Sequence, residues 1–308
     1  MGLVVAIGGN ALLRRGQALS ATNQLENIRI AAAQLARVAT ANELVLTHGN
    51  GPQIGLLALQ APAYKDIESY SLDVLGAETD GMIGYLIEQE LSNALAASRT
   101  VATLLTRVEV DRDDCAFKRP TKPISPVNTQ SDAQRIAVAR HWKIAADGTG
   151  FRRVVASPQS LRVLGLDPIR WLLERGAVVI AAGGGGIPVA KLVDSPSLAG
   201  VDAVIDKDLC SGLLARGIEA DCLVIVTDVE AVFLGWGTPE QRAVGRVTPQ
   251  ALAKHPFPAG SMGPKVEAAC EFVLATGKRA VIGSLEQIEA MLAGTAGTQV
   301  CREGADTV

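Results

Sequence analysis

Three glycine-rich turns and a few helix-starting charges carry the chemistry that this sequence can do. Gly8-Gly9-Asn10, Gly49-Asn50-Gly51 and Gly183 to Gly186 each follow a short apolar run, at Leu3 to Ile7, Glu43 to Thr47 and Ala177 to Ala181. Such runs read as buried strands. In an open parallel sheet the ligand crevice lies beyond the carboxyl ends of the strands. Backbone N–H groups at turns and helix starts there bind anions. One glycine turn means little more than a tight bend. Three at strand ends point to a phosphate-bearing ligand. The stretch VVIAAGGGGIPV, Val178 to Val189, sharpens the question, because four consecutive positions lack a Cβ. The expectation is that a phosphate chain, or the groups reacting with it, comes close there.

Charges at two helix starts extend the pattern. In VIDKDLCSGLLARG, Asp206, Lys207 and Asp208 sit where a strand hands over to a helix, with Leu209 and Leu213 toward the core and Gly217 as terminator. Asp206 reads equally well as a simple N-cap. Lys207 is a cation in a first helical turn and opposes the helix dipole, so a bound anion would compensate it. Asp208 could orient lysines by hydrogen bonds without acting as a base. In PAGSMGPKVEAACEFV, Gly260 to Gly263 reads as a flexible loop, Pro264 opens a helix, and Val266, Ala269 and Val273 form its buried stripe. Lys265 in that first turn is either a phosphate contact or an ordinary surface lysine. Thr227-Asp228 ends the strand of LVIVTDVEAVF, where an acid binds ribose, metal or the next helix's N–H groups. There is no Walker A sequence, and no GxGxxG followed by an acid about 20 residues on. The four-glycine run leads into Pro188 rather than a helix, which argues against a Rossmann dehydrogenase.

The elements that must position these residues alternate strand, loop and helix. Asn23 to Val38 reads as a helix with Leu25, Ile28, Ala32 and Leu35 on one face, and Asn23 with Glu26 as a capping box. Pro52 to Gln60 reads as a second helix. Ser71 to Ala97 reads as a long third one, with Leu72, Leu75, Met82 and Leu86 inward and Gly76, Gly81 and Gly84 permitting close packing. Further strands are expected at Thr100 to Thr106, Cys222 to Val226 and Arg279 to Ile282. Repeated βα units imply an α/β fold with a mostly parallel sheet covered on both faces. One stretch, 116–157, breaks the alternation. It carries eight Lys and Arg against two Asp in a chain whose net charge is -3. Within it KRPTKPISP reads as a proline-stiffened loop and WKIAADGTGFRRVV as a hairpin around Asp147-Gly148. It reads as a protruding lid inserted in a single domain of 308 residues, or as a solvated basic insertion.

Composition excludes several classes. The chain is 48% hydrophobic, ample for a large core, yet no apolar run reaches the roughly 18 residues of a membrane span. The start MGLVVAIGG has no basic region or cleavage site for a signal peptide and no Ser or Thr at position 6 for myristoylation. The basic stretch lacks an aromatic platform for nucleic acid. Cys115, Cys210, Cys222, Cys270 and Cys301 are widely spaced, and the three histidines are scattered, so no metal cluster is expected. The cysteines read as reduced, buried thiols of a cytoplasmic protein.

The blocks AIGGNALLRRGQ, THGNGPQIG, PTKPISP, RRVVASPQ, AAGGGGIPV, GVDAVIDKDLCSGLLA, VIVTDVEAVF and GSMGPKVEAA occur in this order along nearly the whole chain. In this combination the sequence resembles the carbamate kinases of the amino-acid kinase superfamily. GGNAL, PTKPI and IDKD are the specific marks; any one glycine block is shared more widely. The resemblance implies a three-layer α/β/α sandwich, a central sheet of about eight mostly parallel strands and a protruding lid subdomain. It implies reversible phosphoryl transfer between ATP and carbamate, giving ADP and carbamoyl phosphate, with Mg2+. Family members are usually homodimers, and many make ATP during arginine catabolism.

By position, the resemblance implies that Gly8, Gly9, Asn10, Gly49, Asn50 and Gly51 hold the transferring phosphoryl group and carbamate. Lys122 reaches down from the lid. Lys207 and Lys265 neutralise phosphate oxygens, and Asp208 holds them in register. Gly185, Thr227, Asp228, Met262 and Gly263 border the nucleotide together with Lys207 and Lys265. Related kinases place a lysine in the first strand, in a K-x-G-G arrangement; here that place holds Ala6, so a cation must come from elsewhere, and Lys122 supplies it. Glu78 and Asp80 stand where the family often has an uncharged residue and a glutamine, and PISPVNTQ lacks the aromatic often found after its second proline. Two rivals remain: another small-acid kinase of the superfamily, and a non-catalytic sensor of nucleotide or carbamoyl phosphate.

Overall fold

Alternate side chains of the first strand, Gly2–Ile7, decide the layering. Leu3, Val5 and Ile7 point to one buried cluster and Val4 and Ala6 to another. A strand apolar on both sides must lie mid-sheet with helices above and below. In the computed structural model, which describes residues 1–12, 17–18, 20–60, 70–96 and 98–304, it does so. The central sheet has eight strands, in the order Arg246–Val247, Thr298–Val300, Arg279–Ser284, Cys222–Thr227, Gly2–Ile7, Glu43–His48, Val178–Ala181, Val101–Leu104. The strands from Arg279–Ser284 to Val101–Leu104 are mutually parallel, and Thr298–Val300 joins that edge antiparallel.

One helical layer comprises Ala21–Ala41 and Leu72–Ala94, which bury Ile28, Leu35, Ile83 and Ile87 against the Leu3 face. The other comprises Lys207–Gly217 and Met262–Thr276, which bury Cys210, Leu214, Phe272 and Val273 against the Val4 face. The three-layer α/β/α expectation is met.

Several local expectations need correction. The helix Ala21–Ala41 is capped by Ser20, whose hydroxyl accepts from the Asn23 amide, so the cap lies three residues before the expected Asn23 and Glu26 box. The long helix ends at Ala94, and Ala97 lies outside the described residues. Met82 faces out, 41% exposed. Of that helix's three glycines, only Gly84 is needed for a close approach, since a Cβ there would strike Thr103. Cys115 is exposed rather than buried, and Cys210 and Cys222 are the fully buried thiols. Burial pushes the Cys210 thiol up to about 12.

The basic stretch has its own structure. Lys122–Asn128, expected as a loop, is an edge strand paired antiparallel with Gly150–Val155, and its register slips between Ile124 and Asn128. An edge position is where prolines cost a strand least. The hairpin around Asp147-Gly148 is present, with Asp147 opposite Gly150 and Gly148 at φ +59°. The helix Gln130–Arg140, capped by Thr129, covers this three-stranded sheet. A further four-stranded sheet (Leu198–Gly200, Ile187–Lys191, Arg107–Val110, Ser160–Val163) continues from the glycine run.

Candidate active site

The parallel register lines up the strand ends. Ile7 lies opposite His48, Leu46 opposite Ile180, and Ile225 opposite Ala6. Gly8, Gly49, Gly183 and Asp228 therefore leave the sheet along one edge. The first two turns abut: the Gly49 amide donates to the Ile7 carbonyl at 3.1 Å, and a Cβ on Gly49 would sit 3.1 Å from the Gly9 nitrogen. Gly9–Leu12 starts a short helical turn and Gly51–Gln60 a longer helix, so both glycine turns aim helix-start amides at the same edge. The Asn10 side chain and Leu13 to Gly16 of the first block lie outside the described residues.

The four-glycine run corrects the opening expectation. A Cβ at Gly183 would collide with Asp80 and His48, one at Gly184 with Asn50, and one at Gly186 with Val108. At Gly185 it would sit 2.9 Å from the Ile205 carbonyl oxygen, and Gly184, Gly185 and Gly186 all have positive φ. Protein side chains and backbone, rather than a phosphate chain, occupy the space that these glycines leave. The run permits the second glycine turn and the long helix to pack into one floor.

The lysines meet above this floor. Helices Lys207–Gly217 and Met262–Thr276 each precede a parallel strand, so their N-termini point to the sheet's carboxyl edge. Gly212 lets them approach: a Cβ there would lie 3.3 Å from the Ala268 carbonyl oxygen. The helices converge on Asp208. Lys207 Nζ donates to Asp208 Oδ1 at 2.6 Å, and Lys265 Nζ donates to Asp208 Oδ2 at 2.7 Å. Lys207 and Asp208 are both buried, 8% and 5% exposed. Burial would raise the Asp208 carboxyl, but Lys207 and then Lys265 outweigh it and hold the group far below the usual carboxylate range. Burial depresses Lys207 most, and the like charge of Lys265 adds to this, against the pull of Asp208 and Asp206.

Asp206 is both alternatives at once. It caps the helix, accepting from the Asp208 amide at 2.9 Å and the Leu209 amide at 3.3 Å, and its other oxygen pairs with Lys122 from the basic stretch. Three ammonium groups thus share two carboxylates at one helix start. On the core side Cys210 and Leu214 are fully buried, with Leu209 and Leu213 at the margin. Gly217 is the last helical residue rather than a left-handed terminator. Ser211 Oγ contacts Thr47 Oγ1 at 2.6 Å and donates to the Lys207 carbonyl at 2.6 Å, which ties this helix to the strand that ends in His48.

The remaining expected residues fall into two groups. Thr227 and Asp228 end the strand Cys222–Thr227, with Thr227 Oγ1 donating to Asp228 Oδ1 at 3.2 Å. Met262 and Gly263 open the helix that carries Lys265; its Ser261 cap makes no side-chain hydrogen bond, and the Gly263 amide donates to the Pro258 carbonyl at 2.9 Å. Asn50 lies in the second glycine turn. Its side chain is buried and donates to Thr79 Oγ1 at 2.9 Å, so toward the edge Asn50 offers main chain. His48 was not anticipated, and Asp80 entered only as a departure from the family pattern. A histidine at the buried end of the strand Glu43–His48, and an acid at an inward helical position one residue past Thr79, are the signals that would have found them. Among the described residues no three His, Cys, Asp or Glu side chains converge as a metal site, and no helix is long and apolar enough to cross a membrane.

Full-length relatives identify the family. The profile of the amino acid kinase family matches residues 1–284. A carbamate kinase of Haemophilus influenzae is 54% identical over 303 residues, 98% of this chain and 97% of the relative. One of Rhizobium meliloti is 55% identical over 307 residues, 99% and 95% of the two chains. Among solved structures, carbamate kinase from Giardia lamblia bound to citric acid superposes with a TM-score of 0.91 at 36% identity, covering 98% of each chain. Full-length identity of this order, on the same fold, places the chain in the amino acid kinase family, among the carbamate kinases.

Proposed function

We propose that this chain catalyses reversible phosphoryl transfer between ATP and carbamate, giving ADP and carbamoyl phosphate. One observation carries the site assignment: Lys122, Lys207 and Lys265 are gathered on Asp206 and Asp208 at the edge where the glycine turns end. Phosphoryl transfer asks a protein mainly to align donor and acceptor and to neutralise charge on the moving group. Carbamate is already anionic, so no strong base is needed. Asp208, ionised with an ammonium on each oxygen, suits a positioning role rather than proton abstraction. Lys207 and Lys265 would face the nucleotide's phosphate oxygens. Lys122 would supply the cation that Ala6 does not. Gly8, Gly9 and Gly51 would present main-chain amides to the transferring group and carbamate, with Gly49 holding the two turns together through its amide on the Ile7 carbonyl. Thr227, Asp228, Gly185, Met262 and Gly263 would border the nucleotide. Mg2+ would enter on the nucleotide's phosphates, since this cation commonly keeps most of its shell as water and phosphate oxygens with one or two carboxylates; Asp228 and Asp206 are the nearby acids.

The stretch 116–157 is proposed as a lid, because its strand Lys122–Asn128 delivers Lys122 to Asp206. A homodimer in the cytoplasm is proposed as well. The helix Leu72–Ala94 exposes Val74, Met82 and Tyr85 along one stripe, and Leu105 is exposed beyond the edge strand, which supports a second copy packing there. A role in arginine catabolism follows from the resemblance alone.

A coupled assay for ATP formed from ADP and carbamoyl phosphate tests the reading. ADP release with carbamate, acetate, glutamate or acetylglutamate as acceptor separates it from other small-acid kinases, and tight binding without turnover would favour the sensor. Lys265→Ala and Lys122→Ala should each lower kcat about 10²-fold, the scale of losing one preorganised transition-state donor. Near-normal kcat in both would overturn the residue assignment.

A further inference from the structure

His48 and Asp80 are two titratable groups that this mechanism does not use. They are 0% and 1% exposed, with His48 Nε2 at 3.3 Å from Asp80 Oδ1. At that distance the two meet only as an ion-pair contact: by hydrogen-bond geometry neither Asp80 oxygen nor His48 Nε2 has a partner among the described residues. A buried carboxylate without a donor is costly, and the ring nitrogen 3.3 Å away is a group able to share a proton with it. The other ring nitrogen, Nδ1, lies 3.4 Å from the Gly49 carbonyl oxygen. The ring is therefore flanked by an oxygen on both sides. One of these oxygens belongs to the glycine turn that meets Gly9.

The surroundings show why the pair matters to position. Gly183 has no Cβ because Asp80 and His48 fill that space, and Gly184 has none because Asn50 fills it. Asn50 is fixed by Thr79, the neighbour of Asp80 on the long helix. Thr79 Oγ1 is anchored in turn to the Leu75 and Gly76 carbonyls. Thr47, the chain neighbour of His48, meets Ser211 at 2.6 Å between hydroxyl oxygens, so this floor is tied to the lysine-bearing helix as well.

We propose that Asp80 is a positioning residue: by sharing a proton with Nε2 it fixes the His48 ring, and the ring fixes the Gly49-Asn50-Gly51 turn against Gly9. This rests on the site proposed above and adds what holds its floor. Neither residue touches substrate. The role is orientation by hydrogen bonding, not charge. An amide at position 80 can donate to Nε2 while Nδ1–H still serves the Gly49 carbonyl, so the isosteric Asp80→Asn should retain most of the function. Asp80→Ala removes the partner.

Steady-state kinetics in the direction of ATP synthesis test this. Asp80→Ala should lower kcat/KM for carbamoyl phosphate by at least tenfold, up to the 10²-fold cost of a misplaced reacting group. KM for ADP should stay within twofold, because Lys207, Lys265 and Asp228 are left in place. Asp80→Asn should recover most of the loss. Wild-type kinetics in Asp80→Ala would overturn the proposal. So would Asp80→Asn being as impaired as Asp80→Ala, or an equal rise in both KM values, which would mark general damage. Lys265→Ala, run alongside, separates the two levels: if it loses activity while Asp80→Ala does not, the site stands and the positioning role falls. If Lys265→Ala keeps full activity, the site is misplaced and the positioning role falls with it.

Discussion

Asp208 accepts from two ammonium groups at once, Lys207 buried beside it and Lys265 partly exposed. Its carboxyl is held below the ordinary range, so the sign of its linkage is fixed. The ionised form stabilises the fold above about pH 4, and that contribution is lost as pH falls below it. Asp208→Asn should cost about 3 kcal/mol or more at pH 7, since it strands buried ammonium groups, and it should flatten the acid limb of a Tm-against-pH curve. A variant as stable as the parent at pH 7 would contradict the pairing. Lys207 shifts the other way in function. Its proton leaves below the usual lysine range, so the alkaline limb of the kcat profile should begin earlier than an ordinary lysine allows. These residues were legible in the sequence because cations at helix starts violate the dipole rule and ask for an explanation. His48 and Asp80 were less legible. A single histidine and a single acid in apolar patterns carry no spacing signal, and only the fold brings residues 48, 80 and 183 together.

At the scale of elements, the approach of two helices sets the site. Gly212 faces the Ala268 carbonyl, and this close packing brings Lys265 onto the carboxylate of its neighbour's first turn. Gly212→Leu should force the helices apart at about 1–3 kcal/mol of overpacking, read by urea unfolding. Its larger effect should be a raised KM for ADP, because Lys265 is carried off Asp208; an unchanged KM would show that the spacing is not what places Lys265. Strand and helix identities were readable here because period and length both favoured one answer. The edge strand Lys122–Asn128 was not, because Pro123 and Pro126 are ordinary loop signals. Only its partner Gly150–Val155 reveals that one side of the strand needs no donors. The capping of Ala21–Ala41 was misplaced for a similar reason: Ser20, Asn23 and Glu26 are all good helix-start residues. Geometry, not type, chooses among them.

Across the whole molecule, charge is segregated. The stretch 116–157 carries eight basic and two acidic residues within a chain of net charge -3, so the remainder is strongly acidic. That asymmetry was legible from composition alone. Its target was not, because nothing in the sequence pairs Lys122 with Asp206, 84 positions away. Both partners are only partly buried, 29% and 14% exposed as side chains, so solvent ions reach the contact. Carbamoyl phosphate and ADP are both anions, and the proposed lid would put this basic stretch beside their path. Long-range attraction of that kind is screened as salt shortens the Debye length from about 10 Å at 0.1 M to about 3 Å at 1 M. Raising salt over that interval should therefore lower kcat/KM for carbamoyl phosphate several-fold while kcat falls much less, since Lys207 and Lys265 are largely buried and screened little. Lys122→Gln should lose part of this salt dependence along with its rate. An equal fall in kcat and kcat/KM would place the salt effect on the buried triad. A response in kcat/KM alone, weakened in Lys122→Gln, would place it on the basic stretch as the element that gathers the substrate.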